Sequence, residues 1–406
     1  MEIALFAQSP VGVLVPIKGL DARFGVPYEH VAFVPHPLPD EVEADSGTWK
    51  AVIAAHKALA RLDQAALHVE NPQMLRQPSL RREAQSTSAL EGTFAPLDQV
   101  LVADAGDGKR TKELDEVMNY VDAANFAFDR LAAGGRLGVN LLESVHEILV
   151  RGISADNADA GRVRSGQVAI GSPTGSVEDS RFIPMPPGAA LTANLDALIR
   201  WIEDSDVDPI MAAALAHYQF ETLHPFNDGN GRIGRLLIVL QLMSNRAMTE
   251  PLLTVSPWFE ARREEYQHQL SLVSQAGDWP RWITFFAEGI AASAHDTADR
   301  IARMISIEKM LAELLVRENL SGLARDIVGL LPASPILTTR RVGDRFNKTT
   351  QAAGDALKKL EALGVLERID SVGKGGYRYF SIDVLRALTA PLGNVPRPDD
   401  PLSFME

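Results

Sequence analysis

The sequence predicts a mostly α-helical chain: a helical bundle carrying one irregular β-hairpin, followed by a smaller unit of three helices and a hairpin. Three observations carry this reading. Apolar residues recur near the helical period from Thr48 to about Ala292. Glycines and prolines gather between residues 152 and 190, where the helical pattern stops. After Asn319 three short periodic segments lead into a glycine-rich tip. At 406 residues the chain exceeds one compact core, so two or three domains are expected.

Taken in order, residues 1 to about 45 are rich in Pro and Gly, with short β-like runs such as Val11 to Ile17. They read as extended, loop-rich structure. Trp49, Val52, Ile53, His56, Leu59 and Ala60 then mark a helix. Arg81 to Glu91 is a second, stopped by Gly92 in a C-cap position. A turn at Gly106-Asp107-Gly108 precedes a long helix from near Thr111. Residues 166–187 read as the irregular hairpin, with Val168-Ala169-Ile170 and Phe182-Ile183 as its short apolar arms. Leu191–Ile202 and Pro209–Thr222 return to helix. Leu236 to Met243 is apolar on nearly every face, the pattern of a helix at the centre of a bundle. Ser256-Pro257 opens another helix as N-cap and N1 proline. A charged helical connector, about 293–318, leads to helices at Leu320–Leu331, Thr338–Phe346 and Thr350–Leu363. Val365–Ile369, a tip at Gly373–Gly376 and Tyr377–Ile382 form the terminal hairpin, the pattern of a winged helix-turn-helix. The proline-rich tail from Pro391 has little periodicity, as expected of a flexible end.

Composition narrows the function classes. The net charge of −13 argues against an overall coat of nucleic acid or an anionic membrane surface as the main partner. The absence of cysteine removes disulfides, thiolate metal sites and cysteine nucleophiles. Met1-Glu2-Ile3-Ala4 has no basic and apolar secretory pattern, and Leu236 to Leu240 is too short to span a bilayer. A cytoplasmic protein without a membrane partner is expected.

The chemistry concentrates in His224-Pro225-Phe226-Asn227-Asp228-Gly229-Asn230-Gly231-Arg232-Ile233-Gly234-Arg235. Residues 229–234 fit G-x-G-x-x-G, but a dinucleotide fold needs a strand before that string, and Pro209–Thr222 is helical. No P-loop string occurs. The segment is therefore a loop between helices whose second helix begins with glycines. Unpaired N–H groups and the dipole there attract anions, and Gly229 and Gly231 let a phosphate approach the backbone. Arg232 and Arg235 can grip further phosphate oxygens. Asp228 can hold Mg²⁺ together with substrate phosphates. His224, with an ordinary pKa of ~6.5, can accept a proton. Singly, each has a structural reading: a linker histidine, an N-cap, a helix-end glycine, a solvated arginine. A purely structural loop has no need to gather all of them.

The string resembles the signature of the Fic (filamentation induced by cAMP) family, H-P-F-x-[D/E]-G-N-G-R-x-x-R, at every specified position. Similarity runs from the N-terminal segment to about residue 290 and includes Ser256-Pro257-Trp258-Phe259-Glu260 and Gly277-Asp278-Trp279. The resemblance implies a Fic-type helical bundle with a β-hairpin flap and transfer of AMP from ATP to a protein hydroxyl. His224 would deprotonate a target Ser, Thr or Tyr, Phe226 would anchor the loop, and Asp228 would hold Mg²⁺. Gly229, Asn230 and Gly231 would cradle the α- and β-phosphates, and Arg232 and Arg235 the outer ones. Phe182, Ile183 and Pro184 of the flap would clamp the target in extended form.

Thr87-Ser88-Ala89-Leu90-Glu91-Gly92 is similar to the family's inhibitory motif, [S/T]-x-x-x-E-[G/N]. Its implied action is competition: Glu91 on Arg235 would occupy the guanidinium meant for the γ-phosphate. Two like charges ~4 Å apart at an effective dielectric of ~20 repel by roughly 4 kcal/mol. Some relatives with this glutamate also remove AMP. The implied organisation is an N-terminal segment with inhibitory helix at 1–95, a catalytic core at 96–292, a connector at 293–318, a winged helix-turn-helix at 319–390 and a tail at 391–406.

From Asn319 to Leu388 there are 11 Lys and Arg against 7 Asp and Glu, a basic unit in an acidic chain. Arg340, Arg341, Arg345 and Lys348 precede the third helix, and Lys374 and Arg378 fall on the hairpin, positions suited to DNA phosphates. Protein docking or homodimerisation is the other use of such a unit. A rival to the enzyme is a DNA-binding regulator whose non-catalytic Fic-like core senses nucleotide; an intact His224 speaks against it.

Overall fold

The structure, a computed structural model, describes residues 1–21, 25–67, 73–104, 111–174, 176–370 and 377–393. The turn at Gly106-Asp107-Gly108, the tip at Gly373–Gly376 with Lys374, and nearly all of the tail lie outside them. The chain is mostly helical and divides into two compact units, each discontinuous in sequence. The first holds residues 1–57, 122–251 and 259–291; the second holds 58–121, 252–258 and 292–406. These units cut across the linear scheme, because the N-terminal segment contributes to both.

Chain order is α1 (Ile3–Phe6), β1 (Gly12–Asp21), β2 (Val26–Pro35), α2 (Ser46–Leu67), α3 (Gln73–Leu90), α4 (Leu97–Asp104), α5 (Lys112–Ala132) and α6 (Val139–Leu149). Then come α7 (Ala189–Asp204), α8 (Pro209–Leu223), α9 (Asn230–Ser244), α10 (Ser256–Glu260), α11 (Arg263–Ala276) and α12 (Trp279–Arg317). The chain continues through α13 (Leu323–Leu330), β3 (Ile336–Thr338), α14 (Thr339–Phe346), α15 (Thr350–Ala362), β4 (Glu367–Asp370), β5 (Tyr377–Phe380) and α16 (Ile382–Thr389). No helix among the described residues is long and apolar enough to cross a membrane.

The first unit is built around α8 and α9, buried over almost their whole lengths. Asp208 starts α8 by accepting from the Ile210 and Met211 N–H groups, with Pro209 at N1. His217 cross-links the centre. Its Nδ1 lies 3.0 Å from the Gly234 carbonyl, which can only accept, so Nδ1 carries the proton and Nε2 accepts from the Tyr266 hydroxyl at 2.7 Å. Trp282 donates to the Ala214 carbonyl of α8 at 2.8 Å. The N-terminal region is more regular than its composition implied: β1 and β2 pair antiparallel from Gly12↔Pro35 to Asp21↔Val26. By contrast, the 166–187 segment is barely a hairpin, with one antiparallel bridge, Ile170↔Phe182. It leans on β2 through a parallel bridge, Phe33↔Pro184, and a ring cluster of Phe6, Phe33 and Phe182.

In the second unit α3 is the instructive element. Its polar residues Arg81, Arg82, Glu83, Ser86, Thr87 and Ser88 are buried. Burial of charge is tolerated because partners are supplied. Arg81 donates to the Ala333 carbonyl, and Arg82 to Asp296 at 2.8 Å. The Glu83 carboxylate accepts from both the N–H and the hydroxyl of Ser256. That bond corrects one expectation: α10 does open at Ser256-Pro257, but the serine hydroxyl donates to Glu83 rather than capping the helix. Gly92, at φ +94°, follows α3 as expected, with Thr93 N–H donating to the Ser88 carbonyl. The expected connector is no separate element, since α12 runs unbroken from Trp279 to Arg317. The terminal segment forms a three-stranded sheet in the order β3-β5-β4 with α13 to α16. Thr338 and Thr349 cap α14 and α15.

Candidate active site

His224 ends α8 in the left-handed conformation, φ 50° and ψ 60°. A non-glycine residue held there stores strain of roughly 1–2 kcal/mol. The turn lifts the chain off α8 and starts the loop. The His224 Nδ1 lies 3.2 Å from the Glu221 carbonyl, which can only accept. The proton therefore sits on Nδ1, and Nε2 keeps its lone pair. The ring is half-buried.

Asn230 locks the loop from its other end. Its side-chain oxygen accepts from the Phe226 N–H at 2.8 Å and its amide donates to the Phe226 carbonyl at 2.7 Å. Both ends of this side chain are thus used, and it is buried. The phosphate role assigned to Asn230 consequently narrows to its main-chain N–H at the start of α9. Phe226 is fully buried and stacks on His146 at 4.2 Å. His146 accepts from the Gly161 N–H on Nδ1, and burial pushes its pKa down to about 4, so it is a neutral wall behind the loop.

Asp228 is the exposed member, its side chain 51% accessible. It accepts from the Gly229 N–H at 2.6 Å and lies 3.5 Å from Arg232. Gly229 has φ 75° at the N-cap of α9, and a Cβ there would press on Leu149. A Cβ on Gly234 would meet the Glu221 carboxylate. Arg232 and Arg235 lie inside, each about 2% exposed, on the first two turns of α9. Two buried guanidinium groups beside a helix N-terminus concentrate positive charge, which attracts an anion. Among the described residues no group of three or more His, Asp or Glu side chains could hold a metal ion. The donor set fits Mg²⁺ bound by one carboxylate, Asp228, plus phosphate oxygens.

The flap expectations need revision. Ile183 and Pro184 are buried, while Phe182 is half-buried in the ring cluster. Phe182 already exchanges both main-chain hydrogen bonds with Ile170, and the Ile183 carbonyl accepts from the Phe33 N–H. A target strand cannot add at residues whose edges are occupied on both sides. Glu91, one residue past α3, is exposed and belongs to the second unit. Sequence reasoning missed the half-buried Glu221 and the buried His146 and Arg164; nothing in composition or spacing separates such polar residues from solvated ones.

Comparison with known proteins agrees with this layout. A family model described as Fic/DOC family N-terminal matches residues 49–129, and one described as Fic/DOC family matches 136–242. The chain is 31% identical over 224 residues to protein adenylyltransferase fic-1 of Caenorhabditis elegans, covering 51% of this chain and 39% of that protein. It is 29% identical over 187 residues to protein adenylyltransferase Fic of Drosophila ananassae, covering 45% and 34%. The chain thus spans well under half the length of these relatives. A crystal structure of a Fic family protein from Desulfovibrio desulfuricans G20 shares the fold, with a TM-score of 0.54 at 22% identity over 85% of this chain and 98% of that one. This chain therefore carries the two Fic/DOC segments, an N-terminal one and the Fic domain itself, and the loop from His224 to Arg235 lies within the latter.

Proposed function

We propose that the protein transfers AMP from ATP to a hydroxyl side chain of a protein target. The observation that carries this reading is the tautomer of His224: with Nδ1 committed to the Glu221 carbonyl, Nε2 is left to accept a proton. It takes the proton of a Ser, Thr or Tyr hydroxyl, the oxygen bonds to the α-phosphorus, and the bond to the bridging oxygen breaks to release pyrophosphate. The N–H groups at the start of α9, with Gly229 and Gly231, hold the α- and β-phosphates, and Arg232 and Arg235 hold the outer oxygens. Mg²⁺ on Asp228 supplies charge neutralisation at the phosphates. The target's extended segment docks along the Val168-Ala169-Ile170 arm of the flap.

The test is incubation with ATP and Mg²⁺ followed by intact mass measurement. One added AMP on the protein or a co-incubated target, absent in His224→Ala, supports the transferase. Tight ATP binding with no transfer would favour the nucleotide-sensing regulator. Glu91 is proposed as the brake, and the same site as able to run AMP removal. The C-terminal unit is proposed to be a winged helix-turn-helix that docks DNA or protein and supports a homodimer. Salt-sensitive DNA retention distinguishes the first use, and ultracentrifugation tests the dimer.

A further inference from the structure

Arg164 stands just ahead of the flap and is 1% exposed, yet no carboxylate reaches it among the described residues. Every acceptor of its guanidinium is a main-chain carbonyl. Nε donates to His224 O at 2.8 Å and Nη1 to Gly166 O at 2.9 Å. Nη2 donates to Met185 O at 2.5 Å and, more distantly, to Leu223 O at 3.5 Å. The residue's own N–H donates to Pro225 O at 2.9 Å. One arginine therefore collects three consecutive carbonyls, 223 to 225, at the buried C-terminal end of α8, where helix carbonyls have no partner of their own. A cation there also opposes the negative end of the dipole. Two further bonds reach both stems of the flap.

We propose that Arg164 is a positioning residue for the transfer reaction, fixing the left-handed peptide of His224, and hence the aim of its imidazole, in register with the flap. The inference rests on the transferase reading above. The planar fork is what the task requires: five fixed donors meet carbonyls arriving from three stretches of chain. Lysine keeps the charge but offers a single point, which cannot hold the carbonyls of 166, 185 and 224 together.

The phosphates are held by other groups, so Arg164→Lys should lower kcat for AMP transfer about 10–100-fold with KM for ATP changed less than about threefold. Guanidinium ion added to Arg164→Gly should restore part of the lost rate. In ¹⁵N-histidine NMR, wild-type His224 should show a single Nδ1–H tautomer, and Arg164→Lys a mixture. An unchanged kcat, a loss confined to KM, or an unaltered His224 spectrum overturns the proposal. Should both variants unfold by circular dichroism, the wild-type protein still decides. The Arg164 Nε–H must then exchange with solvent far more slowly than exposed arginines, and exchange at their rate overturns the proposal. The NMR readouts need no transfer activity, so an inactive wild type with an intact His224 signature refutes the transferase and not the clamp.

Discussion

Two sets of buried arginines meet the same difficulty in opposite ways. Arg164, in the first unit, is satisfied by carbonyls alone. Arg82 and Arg300, in the second, share the carboxylate of Asp296, each at 2.8 Å, and Arg300 also donates to the Ala387, Leu388 and Ala390 carbonyls that end α16. Burial pushes both Arg82 and Arg164 down to about 10, so each stays cationic at neutral pH. A carbonyl-bound arginine reads the path of the backbone and holds a shape. A carboxylate-bound pair ties helices by charge and holds stability. The first unit should therefore fail in rate when its loop is altered, and the second in folding.

The largest expected effect is on rate. His224→Ala should reduce AMP transfer by about 10²–10⁴-fold, with the calorimetric melting temperature nearly unchanged. A large melting loss would make the histidine a structural residue and erase the contrast. Asp296→Ala leaves two guanidinium groups buried without their anion and should destabilise the protein by about 3–5 kcal/mol in urea titrations. A loss below about 1 kcal/mol would show that the second unit does not depend on this carboxylate and would erase the contrast. Asn230→Ala lies between these cases. Removing the two bonds to the Phe226 backbone should cost about 1–3 kcal/mol and slow transfer as well; an effect on stability only would separate the latch from the chemistry.

A pH series sharpens the comparison within the first unit. Burial lowers His146 to about 4 and His217 to about 3, below the ordinary value. The unfolded chain thus binds more protons than the folded one between about pH 4 and 6.5. Stability from these neutral rings is complete above ~6.5 and falls with acidification, by about 1.4 kcal/mol per pH unit for each histidine. Urea midpoints at pH 7 and 5 measure it, and identical midpoints would mean the rings are protonated in place. The smallest change is Glu91→Gly. It should raise transfer several-fold while moving stability by less than about 0.5 kcal/mol, since the carboxylate is exposed. Unchanged labelling with radiolabelled ATP would remove the brake from the proposal.

Legibility in the sequence followed the range of the interactions. The helices flanking the motif, the burial of α9 and the stop at Gly92 were all readable, because period and capping act within a turn or two. The short helices α4 and α6 were not, nor was the regular pairing of β1 with β2. Helix α3 misleads most, since its polar residues suggest a solvated face and instead are buried against partners as distant as Ser256, Asp296 and Ala333. In the flap, the apolar Ile183 and Pro184 could have faced a target or the core, and only the pairing with Phe33 settled which.

The sequence by itself determined the inventory from His224 to Arg235 and its placement on a helix N-terminus, because twelve consecutive residues cannot be far apart and the helical period sets which way they turn. The tertiary structure alone decided which His224 nitrogen faces the Glu221 carbonyl, the two bonds from Asn230 to the Phe226 backbone and the carbonyls gathered by Arg164. Each of these depends on carbonyls or N–H groups that every residue possesses, so nothing in side-chain identity announces which of them will meet.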